Sequence, residues 1–362
     1  MIRAAIFDQP GQPFRFECFP RPRLATGEAL VRISLCTICG SDLHTFAGRR
    51  TGPAPCILGH EPVGIIDEIQ GELFDLSGEK LSVGDRVVWS VAISCGHCFF
   101  CNNELPQKCD RLRKYGHERV NPSHGPLGGL TTHCHLLKGT ALVKVPSGLP
   151  DRVAAPAGCA TATVAAAWRV GLQNKLKTIS SADSPTIVVM GLGMLGLTTC
   201  AWASAHGFTV IASDLDDTRL KQAKLFGATQ TAKPAVLHEL VQASTAGRGA
   251  DLVHELSGSP VAAKLSLDLL RNGGTAVWVG TVFPTDPVSL LPEMIVRRCL
   301  SVTGMHNYKP ADLACAISFL AENHQRFPFA ELVARTFPLD SVTEAFVFAE
   351  RERPIRVAVQ CQ

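Results

Sequence analysis

The stretch Thr186–Gly196, TIVVMGLGMLG, decides the fold class of the second half of the chain. A short, mostly apolar run typical of a buried strand leads directly into Gly191, Gly193 and Gly196, and a helical pattern follows. In such a loop the first glycine permits a tight turn, the second lets the backbone approach a pyrophosphate, and the third allows close packing of helix on strand. The stretch therefore predicts a strand–turn–helix unit that binds a dinucleotide at the helix N-terminus.

The predicted cofactor site also includes the loop residues Leu192, Met194 and Leu195. Asp214 ends the next predicted strand, about 20 residues beyond the glycines, where a carboxylate accepts hydrogen bonds from the adenosine ribose hydroxyls. The same carboxylate repels a 2′-phosphate. The sequence therefore predicts NAD rather than NADP as the cofactor.

The two halves of the chain have different patterns. A chain of 362 residues exceeds the size of a single hydrophobic core, so two domains are expected. The first 150 residues or so contain short strands and turns, whereas alternating strands and helices follow and indicate a parallel, doubly wound sheet. We predict an α/β protein with residues 1–160 and 301–362 in a β-rich domain and residues 161–300 in the dinucleotide-binding domain.

Composition excludes several classes of protein. The chain is 46% hydrophobic, its net charge is only +3, and its basic residues are scattered, which argues against a nucleic-acid partner. The N-terminus carries no secretory signal, and four glycines interrupt the apolar run that begins at Thr186, so we expect a cytoplasmic protein without a membrane span. Disulfides are rare in the cytoplasm, so the 14 cysteines of the chain are not expected to form them.

Four of these cysteines lie within the stretch CGHCFFCNNELPQKC. A redox Cys-x-x-Cys motif would leave the other two unexplained, whereas one zinc ion accounts for all four thiolates. A shell of four sulfurs has no vacant position for a substrate, so we predict a structural zinc site. Its ligands are Cys95, Cys98, Cys101 and Cys109.

A second group is dispersed along the chain. It consists of Cys39 in CGSDLHTFAG, His60 and Glu61 in LGHEPVG, and Cys159 in APAGCATAT. No local spacing links these residues. Taken singly, each is more often a buried thiol or a hydrogen-bonded histidine than a metal ligand.

The order CGSDLH, GHE, four-cysteine segment and GLGMLG with a later Asp214 resembles the zinc-dependent medium-chain alcohol dehydrogenases over nearly the whole chain. The resemblance implies a GroES-like β-domain that is interrupted in sequence by a Rossmann domain. The segments QKCDRLRKYGHE and AAPAGCATAT are most similar to a bacterial subgroup associated with phosphonate catabolism.

In that family, residues matching Cys39, His60 and Cys159 bind a catalytic zinc and leave one position for water or the substrate oxygen. The resemblance thus implies two zinc ions per chain. It implies an enzyme that transfers a hydride between a small alcohol and NAD. A homodimer or homotetramer is expected.

The resemblance also implies roles for polar neighbours. Ser41 would take the alcohol proton and His44 would pass it on. Asp42 would orient the histidine ligand, Glu61 would be a carboxylate able to approach the zinc, and Arg356 would neutralise these carboxylates.

The substrate is the least determined feature. Arg49 and Arg50 follow His44 at a position that lies beside the substrate pocket in the family, and two guanidinium groups suit a small hydroxyalkylphosphonate. The alternative is that both are solvated loop arginines. The sequence assigns no role to three histidines, namely His124, His133 and His135.

Three functions are compatible with at least part of the sequence. Besides a zinc alcohol or polyol dehydrogenase, they are a zinc-free quinone or enone reductase of the same superfamily and a zinc-lobe protein that binds nucleic acid. The reductase has no need of Cys39, His60 and Cys159, and the low net charge opposes nucleic-acid binding. The dehydrogenase is therefore the favoured interpretation.

Overall fold

The computed structural model describes residues 1–121, 123–172 and 184–362. Strands dominate the two ends of the chain and alternate with helices in its middle. In chain order the strands are β1 (Ile2–Ile6), β2 (Arg15–Phe19), β3 (Glu28–Ile38), β4 (Glu61–Gln70), β5 (Arg86–Trp89), β6 (Ala92–Ile93), β7 (Arg113–Lys114), β8 (His133–Leu136), β9 (Leu142–Lys144), β10 (Thr186–Met190), β11 (Thr209–Ser213), β12 (Gln230–Ala232), β13 (Ala250–Glu255), β14 (Leu270–Trp278), β15 (Ser301–Gly304), β16 (Val333–Pro338) and β17 (Arg356–Gln360). The helices are α1 (Gly40–Phe46), α2 (Phe99–Asn102), α3 (Asp151–Ala154), α4 (Ala160–Leu172), α5 (Met194–Ala205), α6 (Asp217–Leu225), α7 (Pro234–Ser244), α8 (Pro260–Asp268), α9 (Pro292–Arg297), α10 (Pro310–Asn323) and α11 (Val342–Glu352).

The chain divides into two units. The first contains Met1–Ala162, Lys309–His324 and Phe329–Gln362, and the second contains Thr163–Tyr308 and Gln325–Pro328. Each unit has its own buried apolar cluster. The chain thus leaves the first unit after Ala162, returns to it at Lys309, and leaves it again only for the short segment Gln325–Pro328.

The first unit is built on a seven-stranded sheet with the order β16-β17-β3-β4-β5-β9, in which β8 also pairs with β3. Only β16 and β17 are parallel. The long strand β3 lies between β17 and β4, so Thr37 is paired with Ala358 on one side and with Glu61 on the other. This register brings the two ends of the unit's sequence to adjacent positions.

The second unit contains a six-stranded parallel sheet with the order β12-β11-β10-β13-β14-β15. Counted within the unit this is the order 3-2-1-4-5-6 of a doubly wound dinucleotide-binding sheet, in which ligands bind beyond the carboxyl end of the first strand. That strand is β10, and the glycine loop follows it directly. The predicted α/β fold with a β-rich domain and a doubly wound parallel sheet is confirmed.

The structure differs from the predicted domain boundary at residues 301–308. These residues were expected in the β-rich domain, but β15 pairs in parallel with β14, from Thr275 opposite Ser301 to Trp278 opposite Gly304. The second unit therefore continues to Tyr308. Helix α10 and strand β17 belong to the first unit.

Within the described ranges, no helix is both long enough and apolar enough to span a bilayer. The apolar run that starts at Thr186 instead forms the fully buried strand β10 and the mostly buried helix α5.

Replacing His254 with leucine should reduce the acid sensitivity of the protein. His254 is fully buried in β13, neither ring nitrogen has a hydrogen-bond partner among the described residues, and burial lowers the pKa of its imidazole to about 3. The unfolded chain takes up this proton near the ordinary pKa of about 6.5. The free energy of unfolding therefore falls as the pH drops below about 6.5, and this one residue should account for about 2 kcal/mol between pH 7 and pH 5.

Urea unfolding of both proteins at pH 7 and pH 5 measures this effect. The loss of stability on acidification should be smaller for His254→Leu than for the unmodified chain. The matched control is His238→Leu, on the exposed side of α7, which should lose as much stability as the unmodified chain. An equal loss in all three proteins would show that His254 is not the residue that becomes protonated.

Candidate active site and metal centres

Four thiols of the first unit converge around α2. Cys95, Cys98, Cys101 and Cys109 place their Sγ atoms within 4.8 Å of one another. The Sγ atoms of Cys95 and Cys101 are 4.0 Å apart and those of Cys98 and Cys101 are 3.5 Å apart. Tetrahedral zinc with Zn–S bonds of about 2.3 Å separates its sulfurs by about 3.8 Å, so the four thiols fit one zinc ion.

Backbone amides favour the thiolate form in this cluster. The amide groups of Cys95 and Arg111 donate to Cys109 Sγ over 3.2 and 3.3 Å. Amides of Asp110 and Cys101 lower the pKa of the Cys98 thiol to about 6. His97 is exposed and its Nδ1 lies 2.8 Å from the Cys95 carbonyl oxygen, outside the sulfur cluster.

The dispersed residues form a second cluster in the same unit. Cys39 caps the start of α1, His60 immediately precedes β4, and Cys159 follows a 3₁₀ turn at Ala155–Gly158. Their ligand atoms and a Glu61 oxygen lie within 4.8 Å of one another. Two sulfurs and one imidazole nitrogen are a ligand set suited to zinc.

Asp42 fixes the orientation of the imidazole. Its Oδ1 lies 3.1 Å from His60 Nδ1 and accepts from the Gly59 amide over 3.3 Å, while its Oδ2 accepts from the Cys39 amide over 3.0 Å. With Nδ1 held by the carboxylate, Nε2 is the nitrogen available to a metal. This is the carboxylate–histidine arrangement that commonly supports metal ligands.

A buried ion pair lies behind the cluster. Arg356 Nε donates to Glu61 Oε2 and Arg356 Nη2 donates to Glu61 Oε1, each over 2.9 Å. Thr37 Oγ1 also donates to Glu61 Oε2, over 2.7 Å. Glu61 is fully buried, and burial raises its pKa to about 7 although Arg356 opposes that rise. Both oxygens of Glu61 are thus engaged by its neighbours rather than directed freely toward a metal.

The two thiols of this cluster differ in their pKa. A hydrogen bond from Cys159 lowers the pKa of Cys39 well below its usual value, against the effect of burial, and Arg356 contributes to the lowering. The same hydrogen bond and burial raise the pKa of Cys159. A proton shared between two thiols is what a bound metal ion displaces.

Ser41 and His44 both lie on α1, three residues apart and hence on one face of the helix. Ser41 Oγ is 3.3 Å from His60 Nε2, so its hydroxyl lies at the metal-facing side of the imidazole. Arg49 Nε donates to His44 Nδ1 over 3.0 Å. Burial and the Arg49 charge lower the pKa of His44, which favours the neutral imidazole.

The two predicted substrate arginines have different environments. Arg49 was expected beside a phosphonate, but its Nη1 and Nη2 donate to the two oxygens of Glu350 over 3.0 and 2.7 Å. This bidentate pair satisfies its charge. Arg50 is half-buried, and its backbone amide donates to the His44 carbonyl oxygen over 3.1 Å.

Two of the three glycines in the loop of the second unit have no room for a side chain. Gly191 has φ +93, where an L side chain is strained, and a Cβ there would lie 2.6 Å from the Ser257 nitrogen. A Cβ on Gly196 would lie 2.0 Å from the Gly191 oxygen, whereas one on Gly193 would meet nothing within 4 Å. The open side at Gly193, next to the first turn of α5 from Met194 onward, suits a pyrophosphate.

Asp214 follows β11 and contacts this loop. Its Oδ2 accepts from the Leu192 amide over 2.7 Å, and its Oδ1 accepts from the Asp216 amide over 3.0 Å. Arg219 Nη1 is 3.9 Å from Oδ2. The carboxylate is thus held against the glycine loop by two backbone amides. Leu195 continues the first turn of α5.

Three residues near the second cluster were missed in the sequence. Thr37 owes its contact to its position opposite Glu61 in the sheet register. The His117 ring lies 5.0 Å from the His60 ring, and Lys114 is within electrostatic reach of Cys159. Both lie in KYGHE, a segment that carried the resemblance but received no role.

The three histidines without a predicted role lie away from the two clusters. His135 Nε2 is 3.0 Å from Glu28 Oε2, and its Nδ1 accepts from the Gly125 amide. The His124 ring lies 6.5 Å from the His135 ring, and His133 Nδ1 is 3.1 Å from Thr132 Oγ1. His135 therefore connects β8 to a loop and to the start of β3.

Comparisons with known proteins identify the family of the chain. Residues 25–147 match the alcohol dehydrogenase GroES-like domain, and residues 195–322 match the zinc-binding dehydrogenase family. A sorbitol dehydrogenase of Halalkalibacterium halodurans is 31% identical, covering 93% of each chain. A D-arabitol-phosphate dehydrogenase of Enterococcus avium is 28% identical over 94% of this chain and 91% of its own. The crystal structure of an alcohol dehydrogenase from Thermotoga maritima superposes with a TM-score of 0.91 at 29% identity, covering 99% of both chains.

A GroES-like domain combined with a Rossmann-type parallel sheet defines the class as a dehydrogenase that acts on small molecules. More specifically, the chain belongs to the zinc-binding medium-chain alcohol dehydrogenase family. It is an oxidoreductase of the alcohol or polyol dehydrogenase type. The predicted family is confirmed, whereas membership of the phosphonate-associated subgroup stays a prediction.

Replacing Arg356 with methionine should destabilise the first unit by about 3–5 kcal/mol, because the change leaves the buried Glu61 carboxylate without its countercharge. The measurement is urea unfolding of the zinc-loaded protein. Adding Glu61→Leu to this variant should recover much of the loss, because the unpaired charge is then gone.

The matched control is Arg49→Met, which breaks an ion pair whose side chains are 48% and 31% exposed. It should cost less than about 1 kcal/mol. If the Arg356 and Arg49 variants lose the same small amount, the Glu61–Arg356 pair is not stabilising the unit.

Proposed function

We propose that this chain is a zinc- and NAD-dependent alcohol dehydrogenase with one structural and one catalytic zinc. The observation that carries the proposal is the presence of two different ligand clusters in one unit. Four thiols close the first. In the second cluster, Cys39, His60 and Cys159 supply three ligands. Because Arg356 binds both oxygens of Glu61, this carboxylate does not need to fill the fourth position, which supports a place there for the substrate oxygen.

Zinc bound at the second cluster would polarise the alcohol and lower its pKa, and NAD would accept the hydride. The chain's own residues set the geometry for this chemistry. Asp42 holds the His60 ring by Nδ1, and Arg356 offsets the charge of Glu61 and donates toward Cys39 Sγ over 3.7 Å. A zinc-free reductase would give these buried groups no task.

Ser41 is the proposed acceptor of the alcohol proton, supported by its contact with the metal-facing side of His60. His44 would pass the proton onward from the same helix face. Because Arg49 donates to His44 Nδ1, this nitrogen is an acceptor in the present arrangement. Proton transfer through both ring nitrogens therefore requires the Arg49–His44 hydrogen bond to open.

NAD is the proposed cofactor because the Asp214 carboxylate lies at the edge of the glycine loop. The proposed substrate is a small hydroxyalkylphosphonate or a similar anionic alcohol. The half-buried Arg50 and the relative that acts on D-arabitol phosphate support this choice. The sorbitol dehydrogenase relative supports a neutral polyol as the second candidate. A reducing, cytoplasmic location suits a chain in which none of the 14 cysteines, all of them within the described residues, forms a disulfide.

Purified protein should contain close to two zinc ions per chain. Cys39→Ser should lose one of them together with activity, while the fold persists. Cys98→Ser should instead lose soluble yield and thermal stability, because zinc binding at a closed site contributes to the free energy of folding. Elemental analysis, NAD reduction and thermal unfolding measure the three effects. An active enzyme that holds no zinc would refute the proposal.

Asp214→Asn should raise the use of NADP relative to NAD. The asparagine oxygen still accepts from the Leu192 amide, but the charge that repels a 2′-phosphate is gone. Asp214→Ala should relax the preference similarly and also loosen the loop. The ratio of kcat/KM for the two cofactors reports the change. Faster turnover with NADP by the unmodified enzyme, at equal concentrations, would contradict the role of Asp214.

A further inference from the structure

The carboxylates around the second cluster are already engaged. Each contacts a cationic or imidazole side chain other than Arg50 and Lys114. The pairs are Glu61 with Arg356, Glu350 with Arg49, Glu118 with Arg113, and Asp42 with His60. The local acidic side chains therefore leave any further cation in this region without a countercharge.

Arg50 and Lys114 are such cations. Both side chains are half-buried, and in the part of the chain that the structure describes neither forms an ion pair. Lys114 lies in β7, where its backbone amide donates to Glu118 Oε1 over 2.9 Å, but the Glu118 carboxylate is paired with Arg113. Partly desolvated, unpaired cations are costly unless an anion joins them.

His117 connects these cations to the candidate catalytic cluster. Its ring is 5.0 Å from that of His60, and its backbone amide donates to the Lys114 carbonyl oxygen over 3.1 Å. The charges of Arg50 and Lys114 both act on its imidazole. His117 thus lies beside the candidate ligand His60 with both cations nearby.

Lys114 also lies near the proposed metal ligands. Burial lowers the pKa of its ammonium, the Arg50 and Lys108 charges lower it further, and the Cys159 thiolate acts against them. The interactions with Arg50 and Cys159 show that Lys114 lies near both the end of α1 and the ligand cluster. An anion bound by Lys114 would therefore lie near the candidate ligand cluster.

The charges of the proposed holoenzyme also favour an anion. Two thiolates balance one zinc ion, and Arg356 balances Glu61. Asp42 contributes one negative charge, whereas Arg50 and Lys114 contribute two positive charges, so the centre keeps an excess of positive charge. A neutral alcohol would leave that excess in place, but the negative charge of a phosphonate or phosphate group would remove it.

We propose that Arg50 and Lys114 form a specificity site that binds a phosphonate or phosphate group of the substrate, with the His117 imidazole as a further hydrogen-bonding group beside them. This inference rests on the proposed function, because it assumes that an alcohol reacts at the Cys39–His60–Cys159 cluster. It adds Lys114 and His117 to the site and replaces Arg49, whose guanidinium is bound to Glu350. Arg50 supplies a planar fork of donors and Lys114 a compact charge.

The first experiment measures binding without turnover. Zinc-loaded enzyme is titrated calorimetrically with methylphosphonate, which has no hydroxyl group to oxidise. Lys114→Met and Arg50→Met should each weaken binding about tenfold or more, as expected for hydrogen bonds to charged groups. Arg119→Met, an exposed arginine on the same segment, removes the same charge and should change binding less than about twofold.

The second experiment measures specificity. For 2-hydroxyethylphosphonate, Lys114→Met should raise KM about tenfold or more with a smaller change in kcat. The KM for 1-propanol, in which carbon replaces phosphorus, should change little. Comparing 2-hydroxyethylphosphonate with 2-hydroxyethyl phosphate identifies which tetrahedral anion the site prefers. Should Lys114→Met fold poorly, Lys114→Arg should retain methylphosphonate binding and Lys114→Gln should lose it.

The outcomes separate this inference from the proposed function. Oxidation of 1-propanol with NAD but no binding of methylphosphonate overturns the anion site and leaves the dehydrogenase intact. Binding that depends on Arg50 and Lys114, without oxidation of any alcohol, supports the anion site and overturns the proposed function. An equal loss of binding in the Arg119→Met control overturns the assignment to Arg50 and Lys114.

Discussion

The buried ion pair between Glu61 and Arg356 is the constraint on which the first unit depends. Glu61 follows the candidate metal ligand His60 in sequence and has no exposure to solvent. A carboxylate in that position costs several kcal/mol unless a cation offsets it, and Arg356 is the first residue of the last strand. The end of the chain must therefore return to the first unit and pair β17 with β3, where Thr37 completes the hydrogen bonds of Glu61.

The sequence predicted each local feature of the site but few of the contacts between them. The Cys95–Cys109 spacing is short enough to indicate a metal cluster by itself, whereas Cys39, His60 and Cys159 were connected only through a family resemblance. The contact of Thr37 with Glu61 could not be predicted, because it follows from the β3–β4 register. In the sequence alone, a threonine with this role has the same neighbours as an exposed threonine in any strand. Non-local register, unlike spacing, is absent from any single stretch of sequence.

The dinucleotide-binding half was predicted more completely because its signals are local. Gly191 and Gly196 are required by a positive φ and by backbone contacts under 3 Å, and these requirements lie within one loop. The error at residues 301–308 has the opposite cause. Strand β15 is recognised only by its parallel pairing with β14, and its alternating exposure does not distinguish that sheet from the one in the first unit.

Arg49 and Arg50 show how neighbouring identical residues acquire different tasks. In sequence they are one basic pair at the end of α1. In the fold, Glu350 on α11 takes the guanidinium of Arg49, which also fixes His44 Nδ1 as an acceptor. Because α11 belongs to the same C-terminal return as Arg356, that segment supplies the countercharge for Arg49 as well as for Glu61. Among the described residues Arg50 has no such countercharge, and it interacts electrostatically with His117 and Lys114. The C-terminal segment that pairs with Glu61 and Arg49 therefore also determines where positive charge remains near the candidate ligands.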